Sequence, residues 1–311
     1  MGKIDIHLHL GLETIVRTME KPMGTNGVTY SSGNTPHDPV MKSSSSLDML
    51  PHLQELGIDG GILLSGGESD GPYGNGQIKQ AAEKVPGVYK WMCNLDPKDP
   101  ETMCERLEKY RQMGAVGIGE FAFNQWIGSP LIEAVFEAAE KAGLPVLFHM
   151  SPQEGFNYGI ADRPGLPLLE EALKRHPDLT FIGHSQPFWH EISGDASSDL
   201  IERNRWGKGS VKEGGRLSYL FETYPNLYGD LSANSGGNAM MRDETFGLAF
   251  LEKFQDRLMF GSDMTNTEMV FPLGRWLDEK LKEGRLSKEC YEKICRRNAE
   301  KIFGPWPDED E

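Results

Sequence analysis

Short apolar segments alternate with helix-like segments along the whole chain, and this alternation restricts the folds that are open to it. The apolar segments predict eight strands, at 3–9, 58–65, 88–95, 115–121, 144–149, 179–184, 227–231 and 258–263. They are apolar on both faces and rarely flanked by hairpin turns, which is typical of parallel strands joined by helices. An open doubly wound sheet would alternate in the same way. Eight units in 311 residues favour a closed (β/α)8 barrel, the TIM barrel.

The intervening segments have helical spacing and recognisable ends. Gly57 ends the first helix, and Ser129-Pro130 is a cap followed by a first-turn proline. No break in composition marks a boundary, so we expect a single domain over residues 1–311. The predicted helices cover 47–56, 77–85, 101–113, 130–143, 165–176, 214–224, 244–254, 268–283 and 287–303.

Two long irregular segments interrupt the alternation, at 11–46 and 185–212. Loops of this length in a compact domain are usually functional or disordered. The first follows the opening strand directly, and the second is rich in tryptophan and charge. We therefore predict that both loops lie over the active-site face of the barrel.

Net charge, apolar runs and cysteine content indicate the cellular compartment and the kind of partner that we expect. The net charge of −15 disfavours a nucleic-acid partner, because an acidic surface repels phosphate backbones. No apolar run approaches the roughly 20 residues that span a bilayer, and the N-terminus lacks the pattern of a signal peptide. The four cysteines contain no Cys-x-x-Cys pair and are expected to be reduced. A cytoplasmic protein with a small-molecule substrate is expected, with a homodimer as the default assembly.

Metal-ligand side chains recur at the ends of the predicted strands. Side chains alternate along a strand, so His7 and His9 are expected on the same face. Each residue alone has another explanation: the histidine pair could lie on an exposed edge strand, His184 in the core, and Asp263 at a helix cap. A barrel gathers all strand ends at one mouth, so the set together predicts a metal site. It consists of His7, His9, Glu120, His149, His184 and Asp263.

Several motifs in this pattern resemble the amidohydrolase superfamily, in particular the branch with aminocarboxymuconate-semialdehyde decarboxylase and resorcylate-type decarboxylases. They are Asp5-Ile6-His7-Leu8-His9, Pro145-Val146-Leu147-Phe148-His149, Phe181-Ile182-Gly183-His184, Phe260-Gly261-Ser262-Asp263 and the closing Asn298-Ala299-Glu300-Lys301-Ile302-Phe303-Gly304. The resemblance implies one divalent metal, zinc with manganese as the alternative, bound by His7, His9, His149 and Asp263. It also implies that His184 is the catalytic histidine.

Two features depart from that branch. Ser185-Gln186-Pro187-Phe188-Trp189 stands where the branch often has glycines. Glu120, in Gly119-Glu120, also resembles the metal-bridging glutamate of TatD-like hydrolases, in which a second metal binds and the histidine equivalent to His184 is a ligand. The acidic net charge argues against the nuclease activity of that group.

The expected reaction is hydrolysis of a small carboxylated or cyclic amide, lactone or ester by a metal-activated water. Asp263 would carry the proton, and His184 would polarise the carbonyl or protonate the leaving atom. Non-oxidative decarboxylation is the alternative on the same scaffold, and a metal-binding pseudoenzyme is a third hypothesis. Candidate substrate-binding residues are Trp126, Arg163 and Trp189, with Arg205 and Arg242 as further cations for a carboxylate. Core packing explains the two tryptophans equally well, and solvation is the simpler explanation of the three arginines.

Overall fold

A computed structural model describes residues 2–18 and 40–307 of the chain. Most of its strands are short and almost completely buried, as expected for strands covered on both faces. The strands are β1 Lys3–Leu8, β2 Ile15–Thr18, β3 Val40–Ser43, β4 Ile58–Leu64, β5 Tyr89–Met92, β6 Ile118–Phe121, β7 Val146–Ser151, β8 Ile160–Ala161, β9 Phe181–His184, β10 Leu227–Asp230 and β11 Leu258–Met259.

Eight of these strands close into a parallel barrel in the order β1, β4, β5, β6, β7, β9, β10, β11. A bridge between Cys93 and Ile118 joins β5 to β6. The ring closes where the Ile6 N–H donates to the Phe260 carbonyl at 3.1 Å. The predicted TIM barrel is therefore confirmed.

Helices follow the barrel strands and cover its outer surface. They are α1 Leu50–Glu55, α2 Asn75–Glu83, α3 Met103–Gln112, α4 Pro130–Ala142, α5 Pro167–Arg175, α6 Gln186–His190, α7 Leu200–Arg203, α8 Arg216–Thr223, α9 Ala233–Met241, α10 Glu244–Lys253, α11 Leu273–Lys282, α12 Lys288–Glu292 and α13 Asn298–Phe303, with a 3₁₀ turn at Pro100–Thr102 and a π-helical turn at Lys293–Arg297. Among the described residues, no helix has both the length and the apolar character needed to cross a membrane.

The prediction of a loop over 11–46 is wrong for residues 15–18 and 40–43, which form strands. β2 and β3 pair as an antiparallel ribbon, in which Ile15 lies opposite Ser43. The ribbon is attached to the barrel, because the Ser44 N–H donates to the carbonyl of Thr265, in the segment after β11, at 2.8 Å. The portion at 19–39 lies outside the described residues.

The predicted loop at 185–212 contains two short helices, α6 and α7. Asp199 caps α7 by accepting hydrogen bonds from the N–H groups of Ile201 and Glu202, both at 3.0 Å. Helix α9 was not predicted either, because glycine and asparagine are poor helix formers. Tertiary packing explains its Gly236, where a Cβ atom would lie 2.5 Å from the Leu231 backbone.

One hydrophobic cluster fills the barrel below the predicted metal site. Its members come from strands all round the ring: Ile4, Ile6, Ile62, Leu64, Met92, Leu147, Ile182, Tyr228 and Met259, with Ala299, Phe303 and Trp306 from the C-terminal segment. Trp306 is anchored by its indole N–H, which donates to the Val88 carbonyl at 3.0 Å. The C-terminal segment thus closes one end of the barrel and leaves the other for a site.

The first strand does not alternate strictly. The register of its pairing with β4 shifts between Asp5 and Leu8. Ile4 and Ile6 belong to the barrel-filling cluster, whereas Leu8 packs with the larger cluster between strands and helices. A local irregularity in β1 therefore separates the side chain of Leu8 from those of Ile4 and Ile6.

Candidate metal centre

Three predicted ligands meet at the mouth of the barrel. The Nε2 atoms of His7 and His9 lie 3.0 Å apart. Oδ1 of Asp263 lies 3.4 Å from the first of these nitrogens and 3.1 Å from the second. Their ligand atoms all lie within 4.8 Å of one another, a separation that suits one shared cation.

The backbone ties the two ends of the chain together at this point. The Asp263 N–H donates to the His7 carbonyl at 2.8 Å, and the His9 N–H donates to the Met264 carbonyl at 3.0 Å. Asp263 has a φ of 65°, in the left-handed region that aspartate tolerates better than most residues. This turn directs its carboxylate towards the histidines instead of along the strand.

Asp230, at the end of β10, is a site residue that the sequence analysis missed. Its Oδ2 accepts from Nδ1 of His7 at 2.6 Å and lies 3.1 Å from Nδ1 of His184. The Ser232 hydroxyl donates to the same oxygen at 2.7 Å. With both Nδ1 atoms engaged, the Nε2 atoms of the two histidines face the mouth. Its position at a strand end was the signal that could have revealed it.

Glu120, on β6, stands between the histidines. Its Oε1 lies 2.6 Å from Nδ1 of His149 and 3.7 Å from Nε2 of His184, and its Oε2 lies 3.5 Å from Nε2 of His9. His149 therefore contacts Glu120 and is not in the group formed by His7, His9 and Asp263. A second group, His7, Glu120 and His184, shares His7 with the first.

The electrostatics of the cluster reflect opposing effects. Burial alone would raise the pKa of Asp263, but the neighbouring His7 and His9 outweigh it and lower that pKa. Burial lowers the pKa of His9, yet the carboxylates of Asp263 and Glu120 raise it to about 10. The pKa of His149 is lowered, chiefly by burial. Each carboxylate is thus held ionised beside imidazoles.

These residues fit a divalent cation. Two imidazole nitrogens 3.0 Å apart require either a shared proton or a cation near both of them. Nε2 of His149 is buried and has no hydrogen-bond partner among the described residues, so it keeps an unused lone pair or proton. Imidazole and carboxylate donors in this number suit zinc or manganese.

A cavity of about 570 Å³ opens onto the cluster. His9, Glu120 and Asp263 form part of its wall. Tyr158 covers one side, with its ring centroid 4.1 Å from that of His149. The remaining wall is mostly apolar or neutral, formed by Ser43, Leu64, Ser65, Gly66, Gly67, Tyr73, Asn94, Leu95, Pro97, Phe121, Ala122, Phe123 and Thr265, with Lys42 and Asp96. A cavity of this size and character holds a small organic molecule.

The three predicted substrate-binding residues lie outside this wall. Trp189 is 2% exposed, packs against Phe188, and donates its indole N–H to the Asp230 carbonyl at 2.9 Å. Its predicted substrate contact is therefore replaced by core packing, since the short helix α6 turns it inward. Arg163 lies over the Trp126 ring, with its guanidinium carbon 5.7 Å from the ring centroid.

The further arginines are also absent from the cavity wall. Arg205 lies just beyond α7 and pairs with the exposed Glu202, with a nitrogen-to-oxygen distance of 2.6 Å. Arg242 donates to the Lys208 carbonyl at 3.1 Å. Both arginines therefore make contacts with surface residues and none with the described residues of the cavity wall.

Comparisons with known proteins agree with the barrel fold. An amidohydrolase from Burkholderia multivorans with bound zinc has a similar fold, with a TM-score of 0.62, 14% identity, and coverage of 99% of this chain and 100% of that chain. A probable 2-pyrone-4,6-dicarboxylic acid hydrolase from Acinetobacter baumannii, with citric acid bound, gives a TM-score of 0.57 at 14% identity, covering 98% and 100%.

A third similar structure is 5-carboxyvanillate decarboxylase from Novosphingobium aromaticivorans, complexed with manganese and 4-hydroxy-3-methoxy-5-nitrobenzoic acid. Its TM-score is 0.56 at 16% identity, with coverage of 82% of this chain and 79% of that chain. No curated protein matches the sequence.

The family model described as amidohydrolase, Amidohydro_2, matches residues 72–304. This stretch contains Glu120, His149, His184, Asp230 and Asp263. The predicted superfamily is confirmed: the chain belongs to the amidohydrolase family.

Proposed function

We propose that this protein is a metal-dependent hydrolase of a small carboxylated or cyclic amide, lactone or ester. The observation that carries the proposal is the group formed by His7, His9 and Asp263, with ligand atoms within 4.8 Å of one another. His9 and Asp263 line a cavity large enough for such a substrate. A divalent cation bound there would lower the pKa of a water molecule towards neutrality and polarise a carbonyl.

Asp263 is the proposed proton carrier. Oδ1 faces His7 and His9, whereas Oδ2 lies 3.9 Å from Nε2 of His184. One carboxylate oxygen can therefore remain with the ligand group while the other accepts a proton from water and passes it on. The side chain is 29% exposed, so water reaches it.

His184 is the proposed proton donor to the substrate. Asp230 and Ser232 hold its Nδ1 atom, at 3.1 Å and 2.9 Å, so Nε2 faces the mouth. The carboxylate of Asp230 stabilises the protonated imidazole. His184 can then donate a hydrogen bond to a carbonyl oxygen or a proton to the leaving atom.

We propose one metal per chain, with zinc as its identity and manganese as the alternative. The bound zinc of the Burkholderia multivorans protein and the manganese of the decarboxylase support these two choices. The second ligand group, His7, Glu120 and His184, keeps a second metal as an alternative. Elemental analysis of the purified protein should give one metal atom per chain, and two would assign Glu120 and His184 as ligands.

Non-oxidative decarboxylation is the second candidate, supported by the fold likeness to 5-carboxyvanillate decarboxylase. A panel of lactones, amides and hydroxybenzoates, assayed with ¹⁸O-labelled water, separates the two. Incorporation of ¹⁸O into an acid product supports hydrolysis, whereas carbon dioxide release without incorporation supports decarboxylation. No turnover by the metal-loaded protein would contradict both.

A further inference from the structure

The cavity wall carries the positively charged side chain of Lys42. Among the described residues that line the cavity, Lys42 is the one lysine or arginine. It lies on β3, in the ribbon inserted after the first barrel strand. The sequence pattern predicts a loop for this segment, and the predicted substrate-binding cations lie elsewhere in the chain.

The acidic residues of the cavity wall have other positive partners. Glu120 and Asp263 face the histidines of the metal centre. Asp96 pairs with Lys98, with an oxygen-to-nitrogen distance of 3.1 Å. Lys42 is thus the cation of the wall that remains available to an anionic ligand.

The present partner of Lys42 is a surface carboxylate. Nζ of Lys42 lies 2.5 Å from Oε1 of Glu268, and the two side chains are 40% and 67% exposed. Exposed pairs of this kind contribute little to stability, because solvent screens them and both side chains lose freedom. A ligand carboxylate inside the cavity, partly removed from water, can therefore compete for the ammonium group.

The backbone of Lys42 is fixed relative to the metal centre. Its carbonyl accepts from the Thr265 hydroxyl at 3.2 Å and from Nδ2 of Asn266 at 3.3 Å. Those residues lie two and three positions after Asp263 in the sequence. The distance between the Lys42 backbone and the proposed reaction centre is therefore set by the fold and not by a free loop.

We propose that Lys42 binds a carboxylate of the substrate at the end remote from the bond that reacts, with Glu268 as its competitor when the cavity is empty. This inference rests on the proposed function and narrows it to substrates that carry one such remote carboxylate. A second remote carboxylate would find no further lysine or arginine among the described residues of the wall.

The test compares two ligands of the same shape, isophthalate and 3-carbamoylbenzoate, by isothermal titration calorimetry on zinc-loaded protein. Both offer one ring carboxylate to the metal centre, and they differ by a single charge at the other substituent. We expect isophthalate to bind about tenfold more tightly, because one partly screened charge pair contributes a free energy of about that affinity ratio. An affinity ratio of about two or less would overturn the proposal.

Three variants assign the effect to Lys42. Lys42→Met should reduce the affinity ratio to about two, the statistical advantage of a ligand with two equivalent carboxylates. Glu268→Gln should increase the ratio because the competitor is neutralised. Lys98→Met is the matched control, since it removes a charge beside the cavity from a residue outside its wall. A ratio that persists in Lys42→Met, or falls equally in Lys98→Met, would refute the assignment.

These measurements are independent of turnover. If zinc binds and isophthalate is preferred, but no substrate is hydrolysed, the proposed function fails while the recognition by Lys42 stands. If hydrolysis is found and the affinity ratio is about two or less, the proposed function stands and this inference fails.

Discussion

Oδ2 of Asp230 lies 2.6 Å from Nδ1 of His7, and both side chains are fully buried. This contact fixes the proton on Nδ1 and leaves Nε2 free to bind a metal. Because the same oxygen lies 3.1 Å from Nδ1 of His184, one carboxylate orients a proposed ligand and the proposed proton donor together.

Asp230→Asn should therefore weaken zinc binding by about 10- to 100-fold, because an amide can present its NH₂ group to Nδ1 and loses the charge that stabilises the ring. Competition with a chelating dye measures the affinity. Ser232→Ala is the control, since it removes a hydroxyl donor to Asp230 but keeps the carboxylate. Unchanged zinc affinity in Asp230→Asn would show that the contact does not orient His7 for the metal.

Asp263→Asn should lower kcat by about 10²- to 10⁴-fold, because the amide cannot take a proton from water. The residue is partly exposed and its backbone N–H bond to His7 is retained, so the melting temperature of the metal-free protein should stay within about 2 °C. Activity is measured at saturating zinc, to separate proton transfer from weaker metal binding. Full activity under those conditions would exclude Asp263 as the proton carrier.

Glu120→Gln tests the number of metals. If one metal is held by His7, His9 and Asp263, elemental analysis should give one zinc per chain before and after the substitution. A fall from two to one would assign Glu120 to a second site. In either case His149 loses a charged partner at 2.6 Å, and its pKa should fall further.

Removal of the metal should lower the melting temperature. A cation that binds only the folded state stabilises it by about 4 kcal/mol at a concentration 1,000 times its Kd. Differential scanning calorimetry before and after dialysis against a chelator measures the shift, and zinc should restore it in a concentration-dependent way. A melting temperature that does not respond to zinc would contradict the presence of a zinc site in the folded protein.

The Glu170 carboxylate predicts a dependence of stability on pH. The hydrogen bond from Tyr224 at 2.7 Å, together with Lys174 and Arg216, lowers its pKa to about 2. A lowered folded-state pKa means that the stabilisation is present above about pH 4.5 and is lost as the pH falls towards 2. Urea denaturation should show Glu170→Gln about 1 kcal/mol less stable at pH 7.

That difference should shrink as the pH is lowered below about 4.5, because Glu170 then becomes neutral in the unfolded and finally in the folded wild type. Glu202→Gln serves as the control. Glu202 and its partner Arg205 are both exposed, so this substitution should change stability by less than about 0.5 kcal/mol. A destabilisation of Glu170→Gln that grows on acidification would reverse the sign and exclude this linkage.

Local sequence pattern was sufficient for the barrel and for most of the site. The alternation of apolar strands and helices is a property of neighbouring residues, and closure of eight such units places every strand end at one mouth. His7, His9 and Asp263 were predicted together for that reason, and the structure brings them within a coordination distance.

The sequence could not show which side chain forms a hydrogen bond with which partner. Asp230 lies at a strand end like the others, but its contact with His7 joins positions 223 residues apart. Likewise, helix α6 turns Trp189 into the core, and the β2–β3 ribbon carries Lys42, for which the sequence predicts no role, to the cavity wall.

Residue types and their spacing along the chain therefore determined the barrel, the acidic surface and the donor set for a cation. The tertiary structure alone decided which carboxylate holds which imidazole, and which cation faces the cavity. The physical reason is range: strand and helix patterns arise from neighbours a few residues apart, whereas hydrogen-bond partners at the mouth are chosen among side chains that only the closed barrel brings together.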